Sequence, residues 1–180
     1  MERYYTQAIN AEVVSNNGAL ISRVLEVVVD PDTGKIAGFL LFPKGQKVLA
    51  PSDIVFWDQH IVVQDADDIM ETNEILKVKE VLAKHTPIIK NKVFTEDKIY
   101  LGTVMNFAID TKHFVLTKIL VAKTFLGIFS NDEKIITYNN IIEIRSDAII
   151  VKNLKMPLRV KEQSTAKGEL KIDVAPTGIV

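Results

Sequence analysis

The apolar positions of the chain fall into short runs separated by turn-forming residues, which is the pattern of β-strands. Two such runs, Val24–Val29 and Ile36–Phe42, flank a turn over residues 30–34 that contains Pro31 and Gly34. Pro presets the φ angle of a turn and Gly supplies a positive φ, so this segment predicts a hairpin. Strands at this spacing are typical of a small barrel or sandwich. Three further strands are predicted at Lys47–Leu49, Ile54–Trp57 and His60–Val63.

The predicted conformation of Gly34 leads to an expected cost of substitution. A β-branched residue resists a positive φ. From this backbone strain alone, Gly34→Val is expected to destabilise the first barrel by about 1–2 kcal/mol.

The same order of apolar runs occurs twice along the chain. Residues 9–30 align without gaps on residues 89–110, with four identities in 22 positions and the apolar positions in phase. Residues 48–54 then match 135–141, and residues 60–63 match 148–151. Three matching blocks in the same order predict an internal duplication, with the same strand order in both copies. The turn at residues 110–113 has neither Pro nor Gly, so the sequence predicts a different type of turn there.

A single helix is predicted between the copies, over residues 67–86. Asp65, Asp67 and Asp68 offer oxygen atoms that can cap its N-terminus, and Pro87 disfavours helix at the residue before it. On a helical wheel, a narrow polar stripe lies opposite a wide apolar arc. Such a wide arc must be buried against other parts of the protein on more than one side of the helix. The polar stripe comprises Asn73, Lys77, Glu80 and Lys84.

The wide arc predicts that the helix packs between the barrels, with Ile75, Val78 and Leu82 buried. Leu82→Ala would then cost about 2–5 kcal/mol, whereas Lys77→Ala on the polar stripe would change little. In the alternative interpretation the arc is a dimerisation surface. A folded monomeric Leu82→Asp variant would favour that alternative.

These elements divide the chain into four parts. They are a first barrel over residues 1–66, a connecting helix over 67–86, a second barrel over 87–151 and a C-terminal extension over 152–180. The extension carries six Lys or Arg against three Asp or Glu. In it, Leu170, Ile172 and Val174 alternate with polar residues, a pattern that is compatible with a strand.

Composition narrows the classes of function. The chain has 22 Lys and Arg against 23 Asp and Glu, a balance that argues against broad electrostatic capture of nucleic acid. The absence of Cys excludes disulfides, thiolate catalysis and Cys-ligated metal sites. No apolar run reaches the ~18–20 residues of a transmembrane helix, and residues 1–5 lack the apolar core of a signal peptide. We therefore expect a cytoplasmic location.

The motifs of both copies resemble a known family. In the first copy they are residues 27–36, Gly38–Leu41 and Val48–Ile54; in the second they are Leu101–Val104 and Asn140-Ile141. This pattern resembles the PRC-barrel, the small β-barrel of the photosynthetic reaction-centre H subunit and of the ribosome maturation factor's C-terminal domain. The resemblance covers about residues 7–151. It implies a mainly β protein with two small PRC-like β-barrels related by internal duplication and joined by one α-helix.

The sequence departs from the family pattern at three places. Ile21-Ser22 stands where Leu-Gly is usual, the second copy lacks the Asp-Pro-x-Thr-Gly turn, and Tyr138 stands where the first copy has Pro51. The matching motifs consist of turn and core residues. The resemblance therefore implies a fold and carries no catalytic signature.

No pattern in the chain predicts catalysis. Asp30-x-Asp32-x-Gly34 lacks the later acceptors of a calcium loop, and Asp67-Asp68 is explained by helix capping. The three histidines do not form a ligand pattern, and no phosphate loop or nucleophile elbow is present. We therefore predict no catalytic residue, no cofactor, no metal and no enzymatic activity. The histidines are His60, His85 and His113.

Candidate partner-binding residues come from two apolar features. Trp57, the only Trp, is either a core residue or an exposed anchor, and the core is the favoured interpretation. The insertion at residues 124–129 is either an exposed apolar patch or an extra element folded over the second barrel. Its candidate residues are Phe125, Leu126, Ile128 and Phe129.

The favoured hypothesis is a non-enzymatic binding or scaffold protein that presents its two barrels to a protein partner. One alternative is a ribosome-assembly or RNA-associated role, which the basic extension supports, although binding of nucleic acid is not favoured. A second alternative is a small-ligand-binding barrel, which is disfavoured because small barrels are filled by their own side chains. A homodimer is compatible with the sequence.

Overall fold

A computed structural model of the protein describes residues 1–125, 128–129 and 133–153, and it describes side chains for residues 1–123 and 133–153. The chain is mainly β, with the following strands and helices. The strands are β1 (Glu2–Tyr4), β2 (Glu12–Ser15), β3 (Leu20–Val29), β4 (Ile36–Leu41), β5 (Lys47–Leu49), β6 (Ile54–Trp57), β7 (Ile61–Val63), β8 (Ile69–Glu71), β9 (Lys92–Thr95), β10 (Tyr100–Asp110), β11 (Val115–Ala122), β12 (Thr124–Phe125), β13 (Ile128–Phe129), β14 (Lys134–Thr137), β15 (Ile141–Ile144) and β16 (Ala148–Val151). The helices are α1 (Tyr5–Ala8) and α2 (Leu76–Ala83).

The two halves have the same strand order. The first sheet runs β6-β7-β2-β3-β4-β5-β8, and the second runs β14-β11-β10-β9-β16-β15 with β1 attached to β10. In each repeat the strand that opens it pairs parallel with the strand that closes it, β2 with β7 and β9 with β16. The predicted duplication, with two barrels joined by a helix, is confirmed.

Local backbone features are also duplicated. Asn10 and Lys90, which are 80 residues apart, have positive φ angles of 65° and 66°. Their amides donate to the carbonyls of Val24 and Val104 at 2.8 and 2.9 Å. A local backbone geometry has therefore persisted while the side chains that adopt it have changed.

The turn of the second copy does not differ from that of the first, so that prediction was wrong. Gly34 N–H donates to the Asp30 carbonyl at 2.8 Å, and Phe114 N–H donates to the Asp110 carbonyl at the same distance. In each turn the Asp carboxylate also accepts the amide two residues further on. Phe114 adopts a φ of 51° where Gly34 has 68°. The Asp side chain holds the turn, so Gly is not required in the second copy.

The predicted helix over residues 67–86 was too long. Asp65 does cap a helix N-terminus, because its carboxylate accepts the Asp67 amide at 2.8 Å, but that helix is a single 3₁₀ turn over Ala66–Asp68. Strand β8 follows and pairs with β5 of the first barrel. The α-helix begins only at Leu76. Three aspartates within four residues can cap the first turn of an α-helix or a single 3₁₀ turn. The apolar pattern that follows them fits both a strand and a longer helix.

Helix α2 packs on the first barrel and not between the two barrels. Val78 and Val81 are buried against Val28 and Val48 in a cluster of their own. An added Cβ at Gly38 of β4 would lie 3.1 Å from Val78, which shows how closely the helix approaches the sheet. The prediction for Leu82 was wrong because 37% of this residue is exposed.

The N-terminal strand crosses to the other barrel. β1 pairs antiparallel with β10, with Arg3 opposite Ile109, and Thr111 N–H donates to the Met1 carbonyl at 2.9 Å. No pattern in residues 1–5 predicts this strand, because Glu2-Arg3-Tyr4 has no apolar run. A segment that precedes the first repeat thus completes the sheet of the second.

The two barrels share one core and a direct backbone contact. Buried side chains of both halves belong to a single apolar cluster. Leu116 N–H donates to the Gly34 carbonyl and Ile36 N–H donates to the Phe114 carbonyl, both at 2.8 Å. An added Cβ at Gly34 would lie 2.5 Å from the ring of Tyr138. The hairpin of the first barrel is therefore part of the contact with the second.

Candidate partner-binding surfaces

Trp57 lies in the core, in agreement with the favoured interpretation of the sequence. Only 6% of it is exposed. Its ring meets the ring of Phe39 edge-on, with 5.3 Å between centroids. It therefore supports β6 from inside and offers little surface to a partner.

The insertion of the second copy contains a two-stranded hairpin. β12 pairs with β13, with Phe125 opposite Ile128 and Thr124 opposite Phe129. Leu126 lies outside the described residues. The prediction that this segment binds a partner stays a prediction.

Edge strand β6 carries the first exposed apolar surface. It is the terminal strand of the first sheet, and Val55 and Phe56 on it are 57% and 55% exposed. We name these two residues the β6 patch. Sequence reasoning missed the patch, although the uninterrupted apolar run Ile54–Trp57 was the available signal. Successive residues of a regular strand face opposite sides, but the pairing of β6 with β7 shifts register between Ile54 and Phe56, and both Val55 and Phe56 are exposed.

A groove of about 730 Å³ runs along β3, between the helix side of the first barrel and the second barrel. Its sides come from both copies, with Tyr5 and Phe107 facing the segment that follows α2. Its lining is largely apolar. We name it the β3 groove; it is lined by Glu26–Val29, Val81, Leu82, residues 85–90, Tyr5 and Phe107.

Two polar groups stand out in the β3 groove. The Tyr5 hydroxyl donates to the Glu26 carboxylate at 3.1 Å. Burial, together with the charge of Glu26, raises the pKa of Tyr5 to about 12, so the phenol stays protonated near neutral pH. Thr86 Oγ1 is buried without a hydrogen-bond partner among the described residues. An unpaired buried hydroxyl is unfavourable, so a polar atom that reached it would stabilise the site.

The buried carboxylate of Asp30 is the centre of an ionic cluster. Its side chain is 2% exposed and lies 2.8 Å from Lys77 Nζ and 3.8 Å from Lys84 Nζ. Lys84 also pairs with Asp32. Lys77→Ala was expected to change the stability little. Because the Lys77 ammonium group neutralises a buried carboxylate, we now expect a larger loss. This cluster links helix α2 to the hairpin that contacts the second barrel.

The environment of Asp30 determines its pKa. Burial by itself raises the pKa of this carboxyl, but hydrogen bonds from Lys77, the Thr33 hydroxyl and the Asp32 amide outweigh burial and hold the pKa below its usual range. A carboxyl with a lowered folded-state pKa stabilises the fold above its unfolded pKa. That stabilisation is lost as the pH falls through the folded-state pKa.

Asp30→Asn is expected to lower the free energy of unfolding by about 1.5–3 kcal/mol at neutral pH, because a charge-assisted bond to Lys77 is lost. The difference from the wild type should shrink below about pH 4, where the wild-type carboxyl also becomes protonated. Urea titrations at several pH values measure this. Asp32→Asn, in the same turn but with a side chain 68% exposed, is the control with the smaller loss. Equal losses for the two variants at neutral pH would contradict the assigned role of Asp30.

The described residues contain no group of three or more metal-ligating side chains. Two histidines pair with single carboxylates: His60 lies 3.3 Å from Glu12, and His113 lies 2.5 Å from Asp110. His85 lines the β3 groove. These pairings are compatible with structural roles on the surface.

Comparison with known proteins agrees with this architecture of two small β-barrels. The PRC-barrel domain model matches the chain twice, over residues 1–74 and 82–156. The chain therefore belongs to the PRC-barrel family, with two copies of the domain in tandem, as the motifs predicted. No curated protein matches it. Among the described residues, no helix is long and apolar enough to cross a membrane.

Proposed function

We propose that this chain is a non-enzymatic binding protein, in which two fused PRC-barrels form a scaffold that holds a protein partner at the β6 patch. The observation that carries the proposal is the exposure of Val55 and Phe56 on the terminal strand of a sheet. An edge strand presents unpaired backbone groups beside its side chains, and both can pair with another chain.

The comparison between the copies favours the first barrel as the docking side. At the position of Phe56 the second copy has Glu143, which pairs with Arg145 at 2.5 Å. Charged residues on an edge strand discourage pairing with other chains. The position of Val55 is apolar in both copies, because Ile142 on β15 is 50% exposed. The charge at Glu143 against the aromatic ring of Phe56 is therefore the difference between the two edges.

The shared core supports the scaffold part of the proposal. Side chains of both halves lie in one apolar cluster, and backbone hydrogen bonds join the hairpin of the first barrel to the second. A partner held by one barrel would therefore have a fixed orientation relative to the other. A rigid surface lowers the entropy lost on binding.

Phe56→Glu, which introduces the residue of the second copy, is expected to lower the affinity for the partner at least ~tenfold, because buried aromatic residues dominate many interfaces. Affinity purification with quantitative mass spectrometry, followed by titration of the recovered protein, measures this. Leu20→Glu is the matched control, since Leu20 is 57% exposed on β3. Circular dichroism checks that both variants fold. Equal recovery and affinity with the wild type and Phe56→Glu would contradict the proposal.

The other expectations from sequence stay predictions. The RNA-associated alternative rests on the basic extension, of which residues 154–180 lie outside the described part of the chain. Ligand binding, a homodimer and a cytoplasmic location likewise await experiments. None of them is needed for the β6 patch to bind a partner.

A further inference from the structure

The two copies differ in how one strand edge is completed. In the second copy, β1 pairs with β10 at Ala108–Asp110. The matching edge of the first copy is β3 at Val28–Asp30, 80 residues earlier. Among the described residues, no backbone hydrogen bond joins another strand to this side of β3 after Val24. One copy thus has a completed edge where its duplicate has an open one.

The segment that corresponds to β1 has a different structure. Residues 82–84 stand 80 positions after β1, but Leu82 and Ala83 form the last turn of α2. The helix therefore lies beside the edge without pairing with it, and the β3 groove remains. Its volume of about 730 Å³ is compatible with a short extended segment.

The chemistry of the β3 groove fits an extended peptide with alternating apolar residues. Backbone groups of β3 form one side of it, and Val81, Leu82 and Ile89 contribute apolar surface. Thr86 Oγ1, which is buried without a partner among the described residues, offers an additional hydrogen bond. A β-strand satisfies both requirements, because its backbone pairs with the edge and every second side chain faces the groove.

We propose that the occupant is the C-terminal segment of this same chain, Glu169–Val174, which adds to β3 as β1 adds to β10. Leu170, Ile172 and Val174 alternate with charged residues, as a half-buried strand requires. Like β1, the segment lies outside the repeats.

The chain is long enough for this connection. Asn153 is anchored beside Asp97, where its amide donates to the Asp97 carboxylate at 2.7 Å. Lys90, which lines the β3 groove, precedes Asp97 by seven residues. At about 3.3 Å per residue, the chain between them spans roughly 25 Å at most. Residues 154–169 span up to about 50 Å when extended. Residues 154–169 are therefore long enough for the segment that follows them to reach β3.

Pro31 limits how far the added strand can pair along β3. Thr111 N–H donates to the Met1 carbonyl in the second copy, but Pro31 occupies that position in the first and has no N–H. The added strand therefore pairs with Val28 and Val29 and does not continue past them, and the Val27 amide already donates to the Glu26 carboxylate at 2.9 Å. Val29, which corresponds to Ile109 opposite Arg3, is the amide that reports pairing.

Hydrogen exchange on the full-length chain tests the proposal. The Val29 amide should be protected in the wild type, and Ile172→Asp should accelerate its exchange at least tenfold, because a carboxylate would face the apolar groove. Ala166→Asp changes the charge equally outside the alternating pattern and should leave the exchange unchanged. Equal rates in the wild type and Ile172→Asp, with Val29 unprotected in both, would overturn the proposal.

A spin-label experiment distinguishes the occupants. The chain has no Cys, so a nitroxide on Val174→Cys is site-specific, and it should broaden the amides of Val27–Val29 within the same molecule. A mixture of nitroxide-labelled protein and ¹⁵N-labelled wild type detects contact between molecules. Broadening in that mixture, with a dimer in light scattering, would overturn pairing within one chain in favour of exchange between copies. Protection of Val29 without broadening in either sample would overturn the assignment of the segment.

Discussion

Val78→Asp is expected to lower the free energy of unfolding by about 3–5 kcal/mol, because it places an unpaired carboxylate in an apolar seam. Val78 is fully buried and packs with Val28, Val48 and Val81. Helix α2 must therefore detach from the sheet, or the new carboxyl must stay protonated. Chemical denaturation followed by circular dichroism measures the loss.

Leu82→Asp, one turn further along the same helix, is the matched control. Leu82 is 37% exposed at the rim of the β3 groove, so the new carboxylate can stay hydrated even where it displaces a docked segment, and the variant should lose much less stability than Val78→Asp. This outcome is the reverse of what burial between the barrels would produce. Greater destabilisation by Leu82→Asp than by Val78→Asp would show that the helix packs through its other face.

Gly34→Ala is expected to lower the free energy of unfolding by about 2–4 kcal/mol, more than backbone strain alone would cost. Its φ is +68°, and an added Cβ would lie 2.5 Å from the Tyr138 ring. The ring must therefore swing away, and the contact between the barrels is weakened. Thermal and chemical denaturation measure the effect.

Two comparisons separate strain from the lost contact. Gly18 also has a positive φ, +84°, but an added Cβ there meets nothing within 4 Å, so Gly18→Ala should cost only about 1–2 kcal/mol. In a Tyr138→Ala background, Gly34→Ala should cost no more than Gly18→Ala. A cost that is unchanged in that background would contradict the role of Tyr138.

The fold followed from sequence wherever the signals were local or repeated. Strands β5 and β6 begin and end where the apolar runs predicted, and the φ of Gly34 is positive as its turn required. The duplication could be recognised because each position of a barrel must stay apolar or polar, whereas the particular amino acid at that position can change. The helix was misjudged because Ile69–Glu71 fits a helical wheel as well as a strand, and its pairing with β5 decides between them.

The candidate surfaces followed from sequence only in part. Trp57 was a candidate, but the exposed residues beside it on β6 are Val55 and Phe56. An apolar run reveals that a strand exists, whereas exposure depends on which of its edges another strand covers. The β3 groove had no sequence signal, since its sides come from segments that are distant along the chain.

The sequence by itself determined a tandem of two PRC-barrels, because turn residues, apolar periodicity and an internal match are properties of neighbouring residues. Only the tertiary structure decided that Lys77 neutralises Asp30, that Tyr138 covers Gly34 and that β1 completes the opposite barrel. Each of these contacts joins residues that are far apart in the chain. Their energies depend on burial and distance, which no local pattern specifies.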